Sequence, residues 1–425
     1  MSLDLLSSMN RIETPFIIAE IAGIKFGAFE INQNNSKNIL GTSTVISSLG
    51  VTYPNFMKSL TVTKINGTVN TYNLQMVYAI RKGDDPNLLE KVFSKLGKDW
   101  TIYLSYGDLS LPTYIYKREK ALVTSIKSNI DFAGSKITYN ISCTSSSALI
   151  ASSNRDFPKI TAKPSDVIKK LLYNNSYGLL EVFYGMKDKN KVILENLIAS
   201  DDASVTIEAR SNISPLSYLD YLVKCMIPNS QVSNNILNKA VYRICVVDDL
   251  TDEFQGPYFK VVKLSDNILK DTLDVFTVDV GYPDKSTVLS FDINNDQVYS
   301  ILYNYSKDIK QPEYIQRIDK DGHLVSEYSP SLSNSSSLLK TTSEDKVWWT
   351  SMVNFPLSAT LRIKGLLKPA VLMSYVYIDA RFFGQKHYST GYYMITKQVD
   401  EISSSGYRTT LSLQRVGKGN TFNGN

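Results

Sequence analysis

Two histidines, His323 in "DKDGHLV" and His387 in "GQKHYSTG", are the only imidazoles in 425 residues. Each stands beside a turn and outside any nucleophile, metal or acid–base motif, so both read as exposed loop residues. Their near-neutral titration is the one reason to follow them. Carboxylates gather at Asp248, Asp249, Asp252 and Glu253 in "DDLTDEFQG". Such oxygens could hold a divalent cation, but the alternating ligand spacing of a calcium loop is missing. A solvated loop or a partner-facing acidic patch fits better, and Asp201-Asp202 reads the same way. Trp348 and Trp349 are adjacent, so on a strand they point to opposite faces. A sugar-stacking platform is one use; barrel packing with subunit contact is the more ordinary one. Cys143, Cys225 and Cys245 show no metal or redox spacing and read as buried thiols of a reducing compartment. Neither a glycine-rich phosphate loop nor a serine nucleophile elbow is found. These residue types predict no catalytic residue, no metal and no cofactor.

The rest of the composition points to strands. Tyrosine is abundant at 27, with many Asn and Ser to supply turns. The net charge of +5, from 46 basic and 41 acidic residues, leaves no basic footprint for nucleic acid. The densest basic cluster, Lys117-Arg118-Glu119-Lys120, is expected to face solvent. The first residues lack the pattern of a secretion signal, and no apolar run of about 18 residues predicts a membrane span.

Length predicts two to four domains. From Pro15 to Ser147 strand patterns dominate. Asn66-Gly67 suits a two-residue hairpin turn, and Tyr72, Leu74, Met76 and Tyr78 alternate with polar residues after it. A helix is expected over 85–97, capped by Asp85, with Leu88, Leu89, Val92, Phe93 and Leu96 on one face and Gly97 beyond its end. Residues 151–264 read as α+β. Helices are expected in "KPSDVIKKLLYNN", with Val167, Ile168, Leu171 and Leu172 on one side, and in "SPLSYLDYLVKCMIP". Ser214 caps the second, and Leu216, Leu219, Leu222, Val223 and Met226 form its buried face. Strands "AVYRICVVDD" and "PYFKVVKL" follow. Strands resume in 265–417 around a serine-rich, mobile insertion at 307–346, and residues 418–425 read as a flexible tail.

One pattern occurs twice. "TSIKSNIDFAGSKITYNISCT" (124–144) and "TKQVDEISSSGYRTTLSLQRV" (396–416) align without a gap at an offset of 272 (396 − 124). Thr124 matches Thr396, Ile130 matches Ile402, Gly134 matches Gly406, Lys136 matches Arg408 and Thr138 matches Thr410. An alternating strand ("TYNLQMVY", "ATLRIKG") and a Tyr-bearing strand ("WTIYLSY", "VLMSYVYI") precede each copy in the same order. Repetition of a whole supersecondary unit marks a duplicated β domain, with Gly134 and Gly406 as equivalent turn formers.

The stretch "VGYPDKSTVLSFDINND", then "ATLRIKGLLKPAVLMSYVYI", then "HYSTGYYMITKQVDEISSSGYRTTLSLQRV" resembles the C-terminal half of baseplate hub proteins of contractile phage tails. The resemblance rests on the loop ending in Thr390-Gly391-Tyr392 and on the hairpin with Gly406-Tyr407 at its turn. The helix from Pro215 to Met226 is similar to the hubs' central domain. The chain also resembles the front part of type VI secretion spike proteins, although no spike-like repeat follows. The resemblance implies a mainly β fold with α+β parts: a first tube-like antiparallel β-barrel over 1–150, a central α+β domain over 151–264 and a second barrel over 265–417.

It implies a structural role without enzymatic activity. Three doubled chains present six similar barrels, which adapts a hexameric tail tube to a trimeric central spike. The partners expected are a second and third copy of the chain, tube, spike and other baseplate proteins, in a virion tail baseplate assembled in the host cytoplasm. Specific nucleic acid and direct membrane insertion are not expected. Candidate contact residues are Trp348, Trp349, Tyr392, Asp248 and Asp249. Two rivals are a distal-tail or receptor module gripping glycans with Tyr and Trp, and a hydrolase using the loop carboxylates or His387.

Overall fold

A computed structural model of the chain describes residues 15–28, 52–53, 56–66, 68–97, 100–108, 117–145, 148, 154–173, 203–226, 242–247, 258–263, 272–282, 287–295, 314–318, 324–328, 357–366 and 371–416. The first part contains β1 (Pro15–Ile21), β2 (Ile24–Ala28), β3 (Thr52–Tyr53), β4 (Met57–Ile65) and β5 (Thr71–Ala79). Helix α1 (Leu88–Phe93) follows, then β6 (Thr101–Asp108), β7 (Lys117–Asp131) and β8 (Lys136–Ser145). Alternation decides which face is buried: Tyr72, Leu74, Met76 and Tyr78 of β5 all point into the core, as their spacing predicts.

Helix α1 is shorter than the expected 85–97. The Asp85 carboxylate accepts a hydrogen bond from the Asn87 N–H (3.0 Å) and pairs with Lys91 (2.6 Å), so the chain makes a side-chain turn before the helix starts. Beyond Phe93 the N–H groups of Lys95 and Leu96 bond three residues back, tightening and ending the helix. Its stripe is nonetheless the expected one. Leu89, Val92 and Phe93 are buried, with Phe93 edge-on to Tyr139 at 5.7 Å.

The central part has β9 (Arg155–Phe157), β10 (Ile160–Ala162), α2 (Pro164–Tyr173), β11 (Val205–Ile207), β12 (Arg210–Ile213), α3 (Pro215–Cys225), β13 (Tyr242–Val247) and β14 (Tyr258–Lys263). Ser214 caps α3 as expected, its hydroxyl accepting the Ser217 N–H at 3.2 Å, and Pro215 takes the first turn. Helices α2 and α3 pack together, burying Ile168 and Leu171 against Leu216, Leu219, Leu222 and Val223. The Leu172 side chain lies outside the described residues. Cys143 and Cys225 are buried thiols outside any disulfide, and burial pushes Cys143 up to about 12.

The last part has β15 (Thr272–Val280), β16 (Ser290–Asn295), β17 (Tyr314–Ile318), β18 (Leu324–Tyr328), β19 (Leu357–Lys364), β20 (Tyr375–Phe382), β21 (Gln385–Lys386), β22 (Gly391–Ser403) and β23 (Gly406–Arg415). The insertion at 307–346 therefore holds a hairpin, β17 paired with β18, that its turn-rich composition concealed. Its serine-rich stretch lies outside the described residues.

Among the described residues fifteen strands join one sheet, mainly β as expected. Two groups of six occur in the same spatial and chain order: β4-β5-β8-β7-β6-β1 and β16-β19-β23-β22-β20-β15. They differ at the last pair, where β1 runs antiparallel to β6 but β15 runs parallel to β20. The sheet of the first group curls until β1 lies against β4, although the described strands do not close into a ring. Among the described residues no helix is long and apolar enough to cross a membrane.

Candidate functional site

The site is built where the two six-strand groups meet. Strand β22 pairs with β20 through Gly391–Met394, and on the same edge with β4 through Lys397–Ser403. A β-bulge at Thr396 separates the two partners. The Thr396 hydroxyl donates to the Ser412 carbonyl across the hairpin at 3.1 Å. Strand β7 has the same bulge at Thr124, whose hydroxyl donates to the Ser142 carbonyl at 2.9 Å. This is the structural content of the repeated sequence.

The return strands do not follow the gapless alignment. Ser142 corresponds to Ser412, an offset of 270 (412 − 142), because four residues turn between Asp131 and Lys136 and only two between Ser403 and Gly406. Gly134 and Gly406 are consequently not equivalent. Gly406 opens β23 at φ +127°, whereas in the first hairpin Ser135 takes the left-handed position at φ +46°. Gly134 instead lies close to Asp131: a Cβ there would sit 2.5 Å from a carboxylate oxygen, so that part-exposed side chain would have to shift.

The expected tight turn at Asn66-Gly67 keeps its closing bond, the Thr68 N–H donating to the Ile65 carbonyl at 3.2 Å, and gains a distant partner at this meeting point. The Asn66 N–H donates to the Thr396 carbonyl at 3.0 Å, extending the β4–β22 ladder, and β5 begins only at Thr71. Gly67 lies outside the described residues.

Behind the seam lies a buried polar network. Glu119, fully buried on β7, pairs with Lys64 on β4 at 2.8 Å. It accepts hydrogen bonds from the hydroxyls of Tyr106 (2.7 Å) and Tyr72 (2.5 Å). Lys64 faces Gln398 across the seam. Gln398 donates to both oxygens of Asp400 (3.1 and 2.9 Å), and Thr409 donates to one of them at 2.6 Å. The Leu366 N–H closes the chain onto Thr409 at 2.8 Å. Tyr407 joins the halves: its ring meets Tyr106 edge-on at 6.4 Å, and its hydroxyl donates to the Leu366 carbonyl. Burial, followed by the charge of Asp400, holds that phenol well above its ordinary range. A Cβ on Gly365 would lie 2.2 Å from the Tyr407 ring, so only glycine permits this approach.

The network corrects the reading of Lys117-Arg118-Glu119-Lys120 as a solvated cluster. Lys120 is exposed, but Glu119 shares the inward phase of Ala121 on β7. Period-two reading through the charges would have found it. Its two carboxylate oxygens are engaged by Lys64, Tyr72 and Tyr106, and all four residues are shut from solvent. That chemistry holds strands together and offers no reactive group.

Of the candidate contact residues, only Tyr392 is described. It is half-buried on β22, its ring 4.8 Å from that of Tyr377. Trp348, Trp349, Asp248 and Asp249 lie outside the described residues, as do His323, Asp201-Asp202 and the rest of the acidic loop. His387 is half-buried rather than exposed: its Nδ1 is 2.8 Å from the Ser389 hydroxyl, and its ring packs between Phe382 and Tyr388. Among the described residues no cluster of His, Cys, Asp or Glu could hold a metal ion.

No protein-family model matches the chain, and no curated protein matches it significantly. Solved structures similar to it are tail proteins and a type VI secretion component. A tail protein from Neisseria meningitidis MC58 has a TM-score of 0.48 at 8% identity, covering 95% of this chain and 98% of its own. A 43 kDa tail protein of prophage MuSo2 from Shewanella oneidensis has a TM-score of 0.47 at 10% identity, covering 95% and 97%. An E. coli component of the type VI secretion system has a TM-score of 0.44 at 8% identity, covering 86% and 75%. These are proteins of the kind that the sequence resembles. No residue role is carried over at such values.

Proposed function

We propose that this chain is a structural hub of a contractile tail or phage-like injection machine, acting as a homotrimer. In this reading its two repeats become six in the assembly, a pseudo-sixfold ring that adapts a hexameric tube to a trimeric spike. The single observation that supports it most is the internal doubling: two groups of six strands in one order, joined edge to edge by β22 and β4. A doubled unit whose copies already meet side by side is what a threefold ring of six positions requires. The partners are tube, spike and other baseplate proteins, the place is a virion tail baseplate assembled in the host cytoplasm, and no turnover is involved.

The glycan-binding alternative draws less support, because Tyr392 packs against Tyr377 instead of standing free. Sedimentation velocity with electron microscopy of the purified chain tests the hub reading. Threefold rings with six similar lobes are expected. A particle that stays monomeric as concentration rises overturns it.

A further inference from the structure

We propose that the outer edge of β7, from Ile126 to Asp131, pairs with the outer edge of β16 in a second copy of this chain. The register is the one that β22 and β4 use within a single chain. The proposal rests on the hub reading and names the contact that would close its ring.

Strand β7 is the counterpart of β22, with the same bulge at the same place. Strand β22 uses one edge for two partners in succession, β20 before the bulge and β4 after it. On the matching edge β7 pairs with β6 through Leu122, and its Val123 N–H reaches the Trp100 carbonyl. After Thr124 that edge has no strand partner among the described residues. Strand β16 is the counterpart of β4 and pairs on one side with β19; its other side likewise has no strand partner among the described residues. The chain thus contains one complete seam and the two separate halves of another. Six strands stand between those halves, so they meet between copies and not within one. The contact is head-to-tail, and each copy contributes one half of it to each of two neighbours.

Carrying the register across makes the partners specific. Through the pairings of β5 and β19, Ser290–Asn295 occupy the places of Ser59–Lys64. Ile402 faces Leu60 in the existing seam, so Ile130 faces Phe291 in the proposed one. The exposures fit: Ile402 is 1% exposed, whereas Ile130, at the same place without a partner, is 53% exposed. Phe291 and Ile293 are only partly covered by their own core. On the opposite face Lys127 falls diagonal to Asp292, both exposed, within reach of a long side chain. An exposed strand edge carrying Ile130 is an aggregation hazard unless a defined partner covers it, and a ring supplies one.

The test uses the full chain with Asn129→Cys and Asp292→Cys together. Both residues are exposed, and in the proposed register they are directly opposite, at roughly 4.5–5.5 Å between Cα atoms, within disulfide reach. Mild oxidation is expected to give covalent dimers and trimers on a non-reducing gel. The slipped pair Asn129→Cys with Ile293→Cys, whose side chains point to opposite faces, is expected to give less than about a tenth of that yield. Sedimentation of the same samples separates the outcomes. Trimers without cross-linking, or with equal yield from the slipped pair, overturn the seam and leave the hub reading standing. Monomers throughout overturn both. Ile130→Arg is a second arm: at concentrations where both chains are monomeric its melting temperature is expected to match the parent chain, with trimer association weakened about tenfold or more. Unchanged association overturns the proposal.

Discussion

The hairpins β7–β8 and β22–β23 share a bulge, a threonine hydroxyl bonded across it and an inward isoleucine, yet they meet different surroundings. The later one has Gln398, Asp400 and Ile402 sealed against β4, while the earlier one holds Ile126, Ser128 and Ile130 on an edge open among the described residues. A strand pattern fixes which side chains share a face; what covers that face depends on the neighbour. The charged network shows the same asymmetry. Glu119 aligns at the offset of 272 with Gly391, so the ion pair behind the seam comes from the first repeat alone.

The largest effect is expected from Glu119→Ala. It leaves the Lys64 ammonium buried without its carboxylate and removes the acceptor of two tyrosines. Loss of one partner of a buried ion pair costs about 3–5 kcal/mol, read as a lower urea midpoint. Glu119→Leu with Lys64→Met is expected to recover a large part of that loss, since well-packed apolar groups replace such pairs at little cost. A drop below about 1 kcal/mol for Glu119→Ala would show that the network does not hold the seam.

The next comparison sets the aligned isoleucines against each other. Ile402→Ala removes a buried side chain from the first core and should cost about 2–5 kcal/mol. Ile130→Ala, measured in the monomeric chain, should change stability by less than about 0.5 kcal/mol. Equal effects would mean that the two edges are covered alike.

Much of this was legible in residues. The inward set on β5, the cap and face of α3 and the repeat itself follow from periodicity, capping chemistry and alignment, because each is a local property of the chain. What escaped was decided by distant partners. The Asn66 N–H is drawn to Thr396, 330 residues away (396 − 66), and no rule for a two-residue turn contains that contact. Glu119 sits among three cations in sequence, so composition argued for solvent, while its phase on β7 argued for the core. The two-residue change of offset between the hairpins was hidden for a simpler reason. A shift of two preserves the side-chain phase, so a gapless alignment looks right on both strands.

The smallest expected effect lies at the hairpin tips. Asp131 and Ser403 occupy aligned places, and each side chain accepts a backbone N–H inside its own turn: Gly134 to Asp131 at 3.0 Å, Ser405 to Ser403 at 3.2 Å. Only the first acceptor titrates. The Gly134 N–H, then Lys136, hold the Asp131 carboxyl below its usual range. A carboxyl depressed in the folded state contributes stability above its unfolded pKa and loses it as pH falls through the folded one. Acidification should therefore loosen the first tip and leave the second unaffected. Amide exchange at Gly134 and Ser405, followed as pH falls below 3.8, the ordinary value for Asp, reads both at once. Protection should fall at Gly134 alone, and Asp131→Asn should remove that pH dependence. Equal loss at Ser405 would mean that acid acts on the sheet as a whole, and the contrast between the two tips would disappear.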